Sequence, residues 1–236
     1  MHSPARRSFF LVTVLVLLLG FRNPQAYRPD EAAVADAEEW CAQHGPLLDS
    51  ACKKFDLKKE ELLAVVFPEM TRYAETRDKA ETSALELLYK NFGAAYANFS
   101  IGRFQMKPAF IEQLEQTVNA QAEPANFQKL IAYGALKRPE EIRGERVRRL
   151  GEARWQIVYL CCWYKLMERQ HKEKWSSAAD KVSFFAAAYN CGSMNDEAKI
   201  RRWERTAWFP YGASNKNANC CYAALAKERY LQSTPK

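Results

Sequence analysis

Only three histidines occur in the 236 residues, His2, His44 and His171, and His2 stands at the extreme N-terminus. A Ser-His-Asp hydrolase, a Cys-His protease or a multi-histidine metal site has almost nothing to build on. Carboxylates are the groups left for chemistry. Glu69 is the notable one, because the run LLAVVFPEM sets it among Val65, Val66, Phe67 and Met70. An apolar setting of that kind holds a carboxyl in its protonated form towards neutral pH. A glutamate on an amphipathic helix is nonetheless usually just solvated, so its meaning depends on what else the chain brings. Two further segments offer polar groups beside glycine, Ser100-Ile101-Gly102-Arg103-Phe104-Gln105 and Tyr189-Asn190-Cys191-Gly192. Gln105 can donate and accept hydrogen bonds, Tyr189 carries a ring face and a hydroxyl that can orient Glu69, and Gly102 permits a turn or a close backbone approach. Read structurally, the same segments are a helix start and a helix end with a buried tyrosine.

The elements that must position these groups read as helices. Apolar residues recur at three- and four-residue spacing almost throughout. Pro29-Asp30 opens a first helix through Trp40 that Gly45 closes, and LKKEELLAVVF forms another, which Pro68 should kink or restart. Asp78-Lys79-Ala80-Glu81 reads as a capping box for a helix through Leu85, Leu88 and Phe92, ended by Gly93. Residues 94–106 read as a loop or a short hairpin, with Lys107-Pro108 starting the next helix. Further helices fit 125–133, 139–149, 152–170, 178–190, 195–205 and 218–231. WQIVYLCCWYKLM is apolar on nearly every side and should be the central buried helix. No internal repeat or linker divides the chain, so the expectation is all-α: residues 27–56 as a helical extension packed on a main domain, 57–236.

Residues 1–26, MHSPARRSFFLVTVLVLLLGFRNPQA, have a basic start and an apolar run from Phe9 to Phe21, short for a span. They read as an export signal ending near Ala26, with an uncleaved anchor as the other reading. Without them the net charge falls from +7 to +4. That mild excess suits an anionic polymer such as a cell wall and is too small to argue for nucleic acid. Arg138, Arg143, Arg146, Arg148 and Arg149, interleaved with Glu140, Glu141 and Glu145, read as paired charges on a solvated helix face. Seven cysteines leave two readings: bridges such as Cys41–Cys52, or between the vicinal pairs Cys161-Cys162 and Cys220-Cys221, against buried apolar thiols.

In order along the chain come Glu69 on a proline-interrupted helix, then Gly102-x-x-Gln105-x-x-Pro108, then Ala187-Ala188-Tyr189-Asn190-x-Gly192. This succession resembles the lytic transglycosylase family with the lysozyme-like fold, over roughly residues 57–192 and loosely the tail. The resemblance makes Glu69 the catalytic acid/base. It places Gln105, Tyr189, Asn190, Gly102, Ser100 and Phe104 at the substrate, together with Tyr222 of the final helix. Where the family usually has serine after the glutamate, Met70 stands here; Cys191 replaces alanine, and an extra helix at 78–92 separates Glu69 from Gln105.

The implied reaction is cleavage of the MurNAc–GlcNAc bond of peptidoglycan in the cell envelope, by a monomer that needs no cofactor, binds no nucleic acid and is not held in the membrane once its signal is removed. One carboxyl protonates the leaving oxygen, then takes a proton from the sugar's own C6 hydroxyl, leaving a 1,6-anhydro end. Hydrolysis of lysozyme type needs a second carboxylate, for which Asp78, Glu81 and Glu86 are the candidates. A silent wall-binding protein would keep the groove and lose the chemistry. Trp203, Trp208, Phe209 and Tyr211 fit either a sugar-stacking platform or a hydrophobic plug.

Overall fold

The computed structural model describes residues 27–73, 79–120, 125–172, 175–214 and 219–234, apart from the side chains of 79–82 and 125. The 1–26 export segment lies outside them. Helix α1 (Glu31–Gln43) opens on Asp30, whose carboxylate accepts the Ala33 N–H at 2.7 Å. Helix α2 (Gly45–Phe55) follows after a single residue. Gly45, expected to close the first helix, instead opens the second, because Pro46 in its first turn is preset for helix and lacks only a donor that would go unused.

Helix α3 (Lys59–Arg72) carries Glu69 in its last turn and runs through Pro68 without restarting. Two hydroxyl donors brace the helix on either side of the proline: that of Thr71 donates to Pro68 O at 3.0 Å, and a tyrosine from the last helix donates to Val65 O. Helix α4 (Lys79–Phe92) ends at Gly93, whose φ of +86° is open to glycine; Asp78 of the expected capping box lies outside the described residues. Helices α5 (Pro108–Ala120), α6 (Ala125–Ile131) and α7 (Pro139–Leu150) follow. Then come α8 (Ala153–Gln170), α9 (Ala178–Cys191), α10 (Glu197–Trp203) and α11 (Tyr222–Ser233).

The fold is all-α. Among the described residues, extended pairing is confined to isolated bridges, Ile101 with Met106 and Phe209 with Cys220. The expected hairpin at 94–106 is therefore a single pair, Ile101 and Met106 exchanging N–H donors at 2.9 and 3.1 Å around a four-residue turn. Helix α8 is the central one, burying Ile157, Leu160, Cys161, Trp163 and Leu166 among others. Helices α3, α9 and α11 pack together beside it, while α1 lies on α3 and α2 on α8. Ala37, Leu48 and Phe55 belong to the same apolar core as Ala226, so the N-terminal helices share one core with the rest. Among the described residues no helix is long and apolar enough to cross a membrane.

The arginine-rich helix corrects its sequence reading. Arg138 pairs with Glu141 at 2.5 Å and Arg148 with Glu145 at 2.7 Å on the outside, as expected. Arg146 and Arg149, however, are buried. Arg146 meets Glu115 at 2.6 Å and Glu112 at 3.1 Å, and Arg149 donates to the carbonyls of Ile131 and Ala132. Helix α7 has few apolar residues to turn inward, so these two arginines are buried instead, and the carboxylates of α5 with the backbone carbonyls at the end of α6 make that tolerable. All seven cysteines are free thiols, so the bridged reading is not realised. Burial raises the Cys161 and Cys162 thiols well above their ordinary range, as befits inert core residues.

Candidate active site

A cleft of about 650 Å³ opens where the last turn of α3, the 98–113 segment, the end of α9 and the loop after α10 converge. Glu69 stands in it, and so do Ser100, Gln105, Tyr189 and Asn190. Five of the residues singled out from sequence are thus brought together from segments as much as 121 positions apart. Trp203, Trp208 and Phe209 line one side; Asn98, Lys107 and Gln113 line it as well.

Glu69 is half-buried. Removal of solvent lifts its carboxyl from the usual 4.5 to about 7, against the opposing pull of the Arg72 and Lys107 charges. Desolvation wins because the buried Tyr189 lies on one side of it and the buried Tyr222 behind its helix, their own hydroxyls pushed well above their ordinary range. Among the described residues lining the cleft, Glu69 is the sole carboxylate. Glu86 is half-buried on α4 and does not reach it. Asp78 and the side chain of Glu81 lie outside the described residues.

Tyr222 does not line the cleft. It lies fully buried behind α3, where its hydroxyl donates to Val65 O at 3.0 Å and faces the Glu69 backbone N–H. A phenol thus stands at the 65-to-69 step of the ladder, just where Pro68 crowds the helix, and fixes the turn that carries the carboxyl. Met70, in the position of the family's serine, turns into the core and is fully buried. Serine at that position of the helix would point away from the cleft as well.

The 101–106 turn is held from the core side. Gln156 of α8 accepts the Phe104 N–H at 2.7 Å and donates to Leu150 O at 2.8 Å. Gly102 sits against it with φ +69°, and a Cβ there would meet Gln156 Nε2 at 1.9 Å and Leu150 O at 2.6 Å. Gly102 is therefore a packing position outside the cleft, a correction to its expected place at the substrate. Phe104 is likewise corrected: its ring is fully buried, edge-on to Trp40 of α1 at 5.2 Å. What these residues do is present Gln105, whose backbone is left-handed at φ +50°, a strained conformation for a residue with a side chain. One amide hydrogen of Gln105 goes to Gly102 O at 2.9 Å. Arg103, in the same turn, is buried and meets Asp36 of α1 at 2.6 Å, with its guanidinium 5.2 Å from the Tyr73 ring.

Tyr189 differs from its sequence reading in one respect. Its hydroxyl, expected to orient Glu69, donates to Phe104 O at 2.7 Å and ties the end of α9 to the turn. Its ring is wedged between Trp163 and Phe110, with centroids at 5.3 and 5.5 Å. The aromatic cluster divides: Phe209 is buried against Tyr222 and Tyr27, while Trp203 and Trp208 stay half-exposed on the cleft wall, edge to face at 5.1 Å. Tyr211 is exposed and does not line the cleft.

Arg72 and Lys107 are the charged cleft residues that motif reading missed, beside the uncharged Asn98 and Gln113. Arg72 lies three positions after Glu69, which puts both on one helix face, and its guanidinium sits 5.8 Å from the Phe209 ring. That spacing was a usable signal. Comparison with known proteins finds no family model, no curated relative and no solved structure that matches the chain.

Proposed function

We propose that this protein is a peptidoglycan-cleaving lytic transglycosylase of the cell envelope, with Glu69 as its single acid/base. The observation that carries the reading is the one carboxylate among the described residues of the cleft, whose pKa of about 7 lets it both give and take a proton near neutral pH. Protonated Glu69 donates to the oxygen of the breaking MurNAc–GlcNAc bond. The resulting carboxylate then removes the proton of the C6 hydroxyl as that oxygen closes on C1, so no water is consumed. Trp203 and Trp208 offer ring faces to pyranose units, and Ser100, Gln105 and Asn190 offer hydrogen bonds to hydroxyl and acetamido groups. The order of motifs along the chain supports the same assignment. One carboxylate among the described lining residues also favours the anhydro product over hydrolysis, which uses two.

The test is mass spectrometry of purified peptidoglycan digested by the protein and by its Glu69→Gln variant. Anhydro-sugar ends from the native protein alone are expected. Reducing ends, one water heavier, would make it a hydrolase, and soluble fragments from neither would overturn the enzymatic reading.

A further inference from the structure

A second cavity of about 650 Å³ lies apart from the cleft, between the end of α2, helix α6 and the last turns of α8. Its apolar part is made by Phe55, Phe127 and Leu130, the two rings 5.2 Å apart and tilted. Around this stand Lys54, Lys129, Lys165, Arg169 and Lys172, against one acid, Glu168. That acid is already occupied, meeting Lys165 at 3.0 Å and Lys181 at 3.3 Å. Lys165 is occupied too, because its ammonium also donates to Asp56 O at 2.9 Å and so answers the carbonyl end of α2. Lys54, Lys129, Arg169 and Lys172 remain, all exposed and with no carboxylate partner among the described residues. Arg169 lies over the Phe127 ring, its guanidinium 6.0 Å from the centroid.

We propose that this cavity binds an anionic lipid, one hydrocarbon chain entering over Phe55, Phe127 and Leu130 and a phosphate head held by Lys54, Lys129, Arg169 and Lys172 at the mouth. The chemistry selects both parts. Lysine and arginine stems extend an apolar wall while their charged ends stay in water, which places cations at the depth where an amphiphile carries its head. Asn126 is the one uncharged polar side chain in the lining, so the site has little with which to read the backbone of an acidic peptide, whereas an acyl chain asks for no hydrogen bonds. Four cations gathered at one mouth also complement a single anionic head better than the scattered charge of the whole surface does. Occupied from a bilayer, the site would seat the protein on an anionic membrane face.

The test is calorimetric titration of the full chain with dodecyl phosphate below its micelle concentration. Inorganic phosphate and the neutral dodecyl maltoside serve as the two partial ligands, and the variant Lys129→Gln/Lys172→Gln as the probe of the mouth. Both substituted residues are exposed, so an unchanged urea midpoint shows the variant folded. Binding of dodecyl phosphate at least tenfold tighter than either partial ligand is expected, weakened on the order of tenfold in the double variant and unaltered by Glu69→Gln. Equal binding of inorganic phosphate would leave a plain anion site, and equal binding of the maltoside a plain apolar hole. Either result, or no binding at all, or loss of binding in Glu69→Gln, overturns the proposal.

Discussion

Glu69 sets a balance between stability and chemistry that can be measured directly. Its folded pKa, about 7, lies above the ordinary 4.5 of an unfolded chain, so the native state holds this proton more tightly than the unfolded state does. Stability from this group is therefore complete below about pH 4.5 and drains away as the pH rises through 7. Glu69→Gln removes the ionisation. The variant should match the native protein near pH 4 and exceed it by about 3 kcal/mol at pH 8 in urea unfolding, while losing activity at least about a hundredfold. Activity should also fall as pH rises above 7, because the first step needs the protonated acid, and Arg72→Gln should move that fall to higher pH by removing a neighbouring positive charge. Gly102 offers a second test at this scale. Alanine there meets Gln156 Nε2 and Leu150 O at impossible distances and is strained at φ +69°. Gly102→Ala should cost about 3 kcal/mol, read as a lower urea midpoint.

Between elements, the deciding contacts run to one short turn. Residues 101–106 are held by α8 through Gln156, by α9 through the Tyr189 hydroxyl, and by α1 through Asp36 and Trp40. Helix α1 is thus part of what keeps Gln105 in a strained backbone conformation on the wall of the cleft that holds Glu69. Arg103 is the sensitive link, because among the described residues Nε and Nη2 of its buried guanidinium have no hydrogen-bond partner and Asp36 is its only carboxylate. Asp36→Ala should cost about 2 kcal/mol. It should also lower the rate of wall cleavage, although α1 contributes no residue to the cleft lining; an unchanged rate at full folding would show that α1 does not hold the turn.

Across the whole molecule, two buried ionic clusters brace the helices around the apolar core. In one, Glu115 of α5 accepts from Arg146 of α7, from Tyr159 of α8 and from Tyr133. In the other, Glu61 of α3 accepts from Tyr164 of α8 at 2.8 Å and meets Lys181 of α9 at 2.5 Å. The second cluster joins the helix bearing Glu69 to the helix bearing Tyr189, so it bears on the cleft from a distance. Such clusters add little net stability over apolar packing, but breaking one strands a buried charge. Glu115→Gln should cost about 2 kcal/mol in urea unfolding, because Arg146 loses its buried ion pair and keeps, among the described residues, only the Glu112 carboxylate at 3.1 Å, with no effect on the pH dependence of cleavage, since Glu115 lies outside the cleft.

The sequence by itself determined the all-α class, most helix positions and the central place of α8, because each rests on local signals: apolar periodicity, proline at helix starts, glycine at helix ends. It also put Glu69, Ser100, Gln105, Tyr189 and Asn190 on one short roster, since motif order survives in one dimension. Only the tertiary structure decided which of the named residues face the cleft. Gly102, Phe104 and Tyr222 belong to the scaffold behind it, and the Tyr189 hydroxyl serves the turn rather than the acid. It likewise turned Arg146 and Arg149 inward and left the cysteines unbridged. The direction of a side chain, and whether a charge finds a partner far along the chain, depend on contacts between helices. Periodicity along a single helix carries no record of those contacts.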